Sequence, residues 1–570
     1  MNEIPLLTKQ DGWPNGPRRI VLFGPPGTGK TQAVLNHWAL PALASGADPS
    51  RVLLCSFTRA AAGELRERLA KDAGISVRAL RETCSTVHAE ALRRVRASRG
   101  TVKVWEGSKT KEQDDDDDAG PDLSREDRSL RDAAASAVSF CRNTLTYPDG
   151  LEVAAAKAAG SMRSSCGLDD ILREIERYEQ EKRDAGAMDF TDLLEHAALA
   201  ETRPLDLLIL DEAQDSTPLI WSVFEWWARS TKTVVVVGDP DQAIYQWSGA
   251  DSRRFVDLMG EGWEARRLGV SWRVPAIQHA LARSIILRNT SRIDAPYDPK
   301  DHAGAVIKVR EDGGAEALAM KTEGRVLMLA RTSAMLTRWA TTLAEAGVPF
   351  INERGWSPFT PGGPLNACLA VLQLRLRGRT NAGLARALVR ELPARGKQWL
   401  TNGRKQTLAL IAGDEDTGYD AAAIISLGVN VSKLLELSAQ DALGVLMCIA
   451  RLDDYSSRRR INAILAAWSR GQDDALVDRP RITLTTMHAS KGREAPLVIV
   501  SPQMASPAIT ARNEGKADEV EAERRVLYVA VTRSSETLVI DAAAPGEHYS
   551  ELYHEGSLAP VVVTSDEVPF

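Results

Sequence analysis

The 570-residue chain has only six cysteines (Cys55, Cys84, Cys141, Cys166, Cys368 and Cys448) and no CxxC pair among them. That scatter excludes a zinc ribbon or a disulfide framework and leads us to expect a reduced, cytoplasmic compartment. No apolar run is long enough to span a bilayer, and the N-terminus lacks a basic-then-apolar signal pattern, so no membrane partner is expected. An excess of positive charge is missing too, since 71 Lys and Arg face 77 Asp and Glu for a net charge of −6. In so long a chain this does not exclude nucleic acid, because a basic groove can coexist with acidic outer surfaces. Part of the deficit is local. The acidic run from Asp114 to Asp118 reads as a solvated loop, since metal ligands need fixed geometry. No repeat of short period is visible. Composition alone leaves function open.

Hydrophobic residues at 44% and charged residues at 26% are ordinary for a globular protein. The chain is too long for one core, and three or four domains are expected. Apolar runs recur at 20–23, 52–57, 205–210, 233–237, 326–329, 482–486, 497–500 and 537–540. They lack alternation, as strands buried on both faces of a parallel sheet do. Helical stretches follow some of them, at 59–73 and 332–346. The fold class is therefore α/β, with parallel sheets. Residues 91–187 and 373–477 are mainly helical in pattern. We expect one α/β domain from 1–90 and 188–267, a second from 268–372 and 478–545, a helical insertion in each, and a tail over 546–570.

The segment Gly24, Pro25, Pro26, Gly27, Thr28, Gly29, Lys30, Thr31 follows one predicted strand and precedes a predicted helix. This is a phosphate-binding loop in its required context. Its glycines let backbone N–H groups face phosphates, and the helix start adds partial positive charge. Lys30 would reach the β- and γ-phosphates of ATP, and the Thr31 hydroxyl would ligate Mg²⁺. A second apolar run ends in Asp211-Glu212-Ala-Gln214-Asp215. There Asp211 would hold the magnesium and Glu212 would orient and deprotonate water. A third run leads into Gly238-Asp239-Pro-Asp-Gln242-Ala-Ile-Tyr245-Gln-Trp247. Gln242 is a candidate sensor of the γ-phosphate, and Tyr245 and Trp247 are candidates for stacking on bases.

With these blocks the chain resembles a superfamily 1A DNA helicase of the UvrD/Rep/PcrA type. Ser56-Phe57-Thr58-Arg59 resembles the first DNA-contact motif and Cys84-Ser-Thr86-Val-His88 the second. Met188-Asp189-Phe-Thr-Asp192-Leu-Leu resembles the block before the acidic motif, and Val270-Ser-Trp272-Arg273 resembles motif IV. Thr485-Thr-Met-His488-Ala-Ser-Lys491-Gly492-Arg-Glu494 resembles motif V, and the segment from Glu523 through Tyr528 to Thr532-Arg533 resembles motif VI.

The resemblance implies two RecA-like domains, with Arg273 and Arg533 brought from the second as arginine fingers on ATP bound to the first. It implies Trp272 stacked on adenine, Glu494 on the ribose, and Gln10 as the nearest match to the adenine-reading element. It implies a single DNA strand near Phe57, Arg59, Thr86, His88, Tyr245, Trp247 and His488, travelled 3′ to 5′. A 3′-tailed duplex would be the substrate of a helicase in repair or replication, acting as a monomer or weak dimer. The alternatives are a translocase that strips proteins or powers a nuclease partner, and an ATP-switched DNA clamp. Retention of Glu212, Arg273 and Arg533 argues against the clamp. The second insertion is short for this family.

Overall fold

The computed structural model describes residues 4–12, 18–56, 58–105, 125–161, 167–200, 203–353, 365–392, 399–412, 417–436 and 480–553. Phe57, the acidic run 114–118 and residues 437–479 and 554–570 therefore lie outside the described residues. Contacts divide the chain into two compact units, Met1–Ala303 with Thr510–Thr532, and Gly304–Ile509 with Arg533–Phe570.

The first unit is built on strands β1 (Arg18–Phe23), β2 (Val52–Ser56), β3 (Cys84–Thr86), β4 (Leu205–Leu210), β5 (Thr231–Gly238) and β6 (Glu264–Arg267). They form one parallel sheet in the order β3-β2-β4-β5-β1-β6. The apolar runs do not alternate with polar residues because both sheet faces are covered. Ile20, Leu22, Val235 and Val237 enter one apolar cluster with Val34, Trp38, Leu65 and Leu69. Val21, Phe23, Val234 and Val236 enter the other with Leu219, Phe224 and Trp227. Each such side chain, taken wholly out of water, contributes roughly 1.5–3 kcal/mol. The period of two is that of the strand itself.

Helices α1 (Lys30–Val34), α2 (Arg59–Ala73) and α3 (Val87–Arg99) follow β1, β2 and β3. Thr58 and Thr86 cap the last two by accepting hydrogen bonds from the N–H groups of Ala61 and Ala89, an arrangement worth about 1 kcal/mol each. The insertion consists of α4 (Arg125–Asn143), α5 (Leu151–Ser161) and α6 (Leu168–Asp184). These have a small core of their own, including Ala134, Val138, Ala155, Ile171 and Ile175. Helices α7 (Phe190–Leu199) and α8 (Pro218–Ala228) return the chain to the sheet. Strands β7 (Val270–Pro275) and β8 (Asp298–Lys300) pair in parallel, with α9 (Ala276–Ile286) between them. Helix α10 (Ala517–Val531) packs on α9.

The second unit has strands β9 (Ala305–Val309), β10 (Val326–Ala330), β11 (Phe350–Asn352), β12 (Ile482–Thr486), β13 (Ala495–Val500) and β14 (Ser534–Asp541). All are parallel, in the order β9-β14-β13-β10-β12-β11. Helices Leu365–Arg377, Ala382–Glu391, Arg404–Leu410, Ala421–Ser426 and Ser432–Glu436 lie between β11 and β12. The fold is thus α/β with two parallel sheets of the RecA-like kind, each interrupted by helices.

The observed division differs from the boundary drawn at 267/268. Residues 268–303 pack with the first unit because their backbone is tied to it. Leu268 N–H donates to the Phe23 carbonyl at 2.8 Å and Trp272 N–H to the Gly27 carbonyl at 2.8 Å. Residues 510–532 join them through Asn289 Nδ2, which donates to the Glu521 carbonyl at 2.9 Å. Arg273 consequently stands in the same unit as Lys30, not in a second α/β block.

Cys55, Cys84 and Cys141 are buried and free. No helix among the described residues is long and apolar enough to cross a membrane.

Candidate functional site

The phosphate loop leaves the C-terminal end of β1, where Gly24 N–H donates to the Gly238 carbonyl of β5 at 2.9 Å. Gly27 has φ +72°, and a Cβ there would lie 2.6 Å from both Arg273 Cβ and Ser271 Oγ. Any side chain at Gly27 would meet both left-handed strain and that collision. The same closeness brings β7 against the loop. Ser271 Oγ donates to the Pro26 carbonyl at 2.9 Å, and Trp272, 75% exposed, lies near Gly29. An exposed indole beside a phosphate loop is a ready surface for a base to stack on. Gln10 is exposed on a short turn whose Asp11 carboxylate is held by Arg18 and Arg266.

Lys30 Nζ donates to the Gly24 carbonyl at 3.0 Å and lies 3.6 Å from Glu212 Oε1. Thr31 Oγ1 donates to Asp211 Oδ2 at 3.1 Å. Burial pushes the Asp211 carboxyl up to about 6, with Glu212 adding repulsion and Lys30 opposing it. A buried acid, Asp211, and a half-buried one, Glu212, beside a hydroxyl are hard oxygen donors. That set fits Mg²⁺, with Thr31 and Asp211 as the residues that would hold it. Among the described residues no group of three or more His, Cys, Asp or Glu could hold a metal ion.

Glu212 adopts φ 55°, a left-handed conformation costing a non-glycine residue roughly 1–2 kcal/mol. Its N–H donates to Asp211 Oδ1 at 2.9 Å. The turn aims Glu212 back toward Lys30.

Sequence reasoning did not assign Gln214 a role, yet it links the acid to the next strand. Its Nε2 donates to Glu212 Oε2 at 2.6 Å, and its Oε1 accepts from Asp239 N–H at 3.0 Å. Gln242 Nε2 in turn donates to Asp239 Oδ2 at 2.7 Å. Asp239, pushed up to about 6 by burial and then by Asp241, depends on these donors. A hydrogen-bonded path thus runs from Glu212 to the loop carrying Tyr245 and Trp247. Replacing Gln214 by leucine is expected to lower ATP turnover about tenfold or more, because the path is cut and buried groups lose partners. Steady-state hydrolysis checks it; turnover within twofold of the native protein would remove Gln214 from the site.

Trp247 is 68% exposed, and its ring centroid lies 6.4 Å from that of the half-buried Tyr245. Across the unit, Arg59 is exposed at the start of α2, and His88 is half-buried. Burial, with Arg59 adding, pulls the His88 pKa below its ordinary value. Thr86 is buried, and its hydroxyl caps α3. The sequence reading passed over Phe190, although the motif around it was visible. It is 45% exposed and meets His88 edge-on at 5.8 Å. An exposed phenylalanine at a helix start, directly after a capping aspartate, was the signal.

The second unit holds the remaining candidates. His488 is half-buried in the turn after β12, Glu494 is exposed just before β13, and Arg533 is 2% exposed before β14. The Arg533 carbonyl accepts from Ala495 N–H at 3.2 Å.

Residues 14–261 match the UvrD/REP helicase N-terminal domain and residues 446–544 the UvrD-like helicase C-terminal domain. The chain is 26% identical to the ATP-dependent DNA helicase UvrD2 of Mycobacterium tuberculosis, over 94% of this chain and 78% of that one. It is 23% identical to the ATP-dependent DNA helicase PcrA of Staphylococcus epidermidis, over 92% and 81%. It is 24% identical to the ATP-dependent DNA helicase UvrD1 of Mycobacterium tuberculosis, over 92% and 80%. A phosphate loop joined through hydrogen bonds to exposed aromatics, in a chain matched by both domains of one family, admits one conclusion: the chain belongs to the UvrD/REP helicase family.

Proposed function

We propose that this ATP-dependent DNA helicase moves 3′ to 5′ along single-stranded DNA, driven by hydrolysis at the loop of Lys30. One observation carries the reading. The acid beside the phosphate loop is connected, through Gln214, Asp239 and Gln242, to the loop of Tyr245 and Trp247. A change at the γ-phosphate therefore has a covalent and hydrogen-bonded route to the aromatics that would hold bases.

In this reading Lys30 binds the β- and γ-phosphates, and Glu212 takes the proton of the attacking water. Gln242 reports the state of the γ-phosphate. Thr31 and Asp211 would hold Mg²⁺, which would supply neutralisation of phosphate charge. Arg273 and Arg533 supply cationic charge to the transition state, an effect of roughly 10³–10⁵ in rate. Trp272 and Gln10 bind the adenine and Glu494 the ribose. Arg59, Thr86, His88, Tyr245, Trp247, His488 and Phe57 line the strand.

The test is steady-state hydrolysis with no nucleic acid, single-stranded DNA, single-stranded RNA or blunt duplex, followed by displacement from duplexes with 3′ or 5′ tails. Stimulation by single-stranded DNA and displacement only from the 3′-tailed duplex are expected. Stimulation without displacement would mark a translocase that strips proteins or serves a nuclease. Unstimulated hydrolysis would mark a clamp and overturn the motor reading. DNA affinity should also fall as salt rises, because neutralised phosphates release counterions.

A further inference from the structure

The C-terminal end of α4, in the first helical insertion, touches two separate elements of the strand site. Arg142, with a side chain only 8% exposed, donates to both Glu195 oxygens on α7 at 2.8 and 2.7 Å. It also pairs with Asp192 and Asp189. Lys182 of α6 adds a second buried cation, 2.8 Å from Asp189 Oδ2 and 2.9 Å from Asp192 Oδ2. These carboxylates are the cap of α7. Asp189 Oδ1 accepts from the N–H groups of Thr191 and Asp192, and Asp192 Oδ2 accepts from Asp189 N–H. Burial works to raise the Asp192 carboxyl, but hydrogen bonds from Arg142 and Lys182 keep it below its ordinary value. The first residue of the helix so fixed is Phe190.

The residues at and just beyond the same helix end meet the other aromatic element. Gly249, at φ +91°, closes the turn Gln246–Ser248 that carries Trp247. A Cβ at Gly249 would lie 2.9 Å from Thr144 Cγ2, 3.7 Å from Asn143 Cβ and 3.8 Å from Phe140 Cδ2. The turn and the helix end are in van der Waals contact with no room between them.

We propose that the end of α4, residues 140–144, is a clamp that fixes Phe190 relative to Trp247, with Arg142 as its positioning residue. The insertion thereby sets how a single strand is gripped. This rests on the reading above that Trp247 and His88, which Phe190 meets edge-on, line the DNA strand. The clamp is ionic for a physical reason. Four carboxylates (Glu179, Asp189, Asp192 and Glu195) gather around Arg142 and Lys182. Removing either cation leaves like charges on α6 (Glu179) and α7 (Asp189, Asp192, Glu195) that repel one another, and removing Arg142 also cuts the ionic tie of α7 to α4.

The experiment compares Arg142→Met, Arg142→Lys, Phe190→Ala and Trp247→Ala in the full chain. The readouts are ATP turnover without DNA and the oligo(dT) concentration giving half-maximal stimulation. Arg142→Met is expected to raise that concentration about tenfold, as loss of a stacking contact does, with DNA-free turnover unchanged. Arg142→Lys, which keeps the charge, should recover most of the loss. An unchanged value in Arg142→Met, with Phe190→Ala and Trp247→Ala both weakened, would overturn the clamp and leave the strand reading standing. Unchanged values in Phe190→Ala and Trp247→Ala would overturn both. Should Arg142→Met fail to fold, Lys182→Met removes the other cation from the same carboxylates and carries the same expectation. DNA-free turnover falling in step with DNA affinity would mark a merely structural role and overturn the proposal.

Discussion

Lys30→Ala and Glu212→Gln are each expected to cut ATP turnover by about 10²-fold or more while leaving thermal unfolding nearly unchanged. Lys30 is the first residue of α1, where alanine is a good helix former, so the backbone has no reason to move. What is lost is the ammonium beside Asp211 and Glu212, 3.6 Å from the latter. Without it two acids face each other and any phosphate unscreened. Glu212→Gln keeps volume and can still accept from Gln214, whose amide lies 2.6 Å from Glu212 Oε2. It removes the ability to take a proton, together with the negative charge that faces Lys30. Turnover at saturating single-stranded DNA, with melting temperature as the control, checks both. Residual hydrolysis within tenfold of the native rate would sink the site assignment.

Trp247→Ala should weaken single-stranded DNA binding by about tenfold or more, since a base stacked on an aromatic contributes about 1–3 kcal/mol. The indole is 68% exposed, and Gln246–Ser248 is a single 3₁₀ turn. Truncation therefore leaves no cavity in the core, and stability should hardly change. Fluorescence anisotropy of labelled oligo(dT) at fixed salt measures the effect. An affinity within twofold of native would take Trp247 off the strand path.

The interior strands were legible because burial on both faces demands unbroken apolar runs. All eight runs picked out from the sequence fall in strands with a paired neighbour on each side. Within the two six-stranded sheets, the four strands that were missed are the edges, Cys84–Thr86, Glu264–Arg267, Ala305–Val309 and Phe350–Asn352, and the short strands of the two-stranded sheets, Val270–Pro275 among them, were missed as well. An edge is short and partly solvated, so Glu264-Ala-Arg-Arg carries charge where an interior strand carries valine. The nucleotide loop was legible because its chemistry is local. Gln214 and Phe190 were not singled out, because their roles depend on what folds against them. Gln214 acts through Asp239 in the next strand, and Phe190 meets His88 about a hundred residues earlier in the chain. The contact-based division falls at 303/304 and not at 267/268 for a related reason. A strand-to-strand reading sees β7 as the start of something new, whereas its Trp272 N–H donates to the Gly27 carbonyl of the phosphate loop.

The first unit closes with a segment, Thr510–Thr532, that follows the whole of Gly304–Ile509 in the chain. During synthesis α9 therefore emerges long before the helix that covers it. At ribosomal rates the delay is on the order of ten seconds or more. Throughout that interval the nascent chain lacks the partner of Asn289, Thr290 and Ser291, which are held by Glu521 and Arg525 once α10 arrives. The apolar residues Val526, Leu527 and Tyr528, buried in the finished unit, are not yet there to cover their neighbours. A premature stop anywhere before residue 510 would thus yield a permanently unfinished ATP-binding unit, marked for chaperones and proteases even though its phosphate loop is complete.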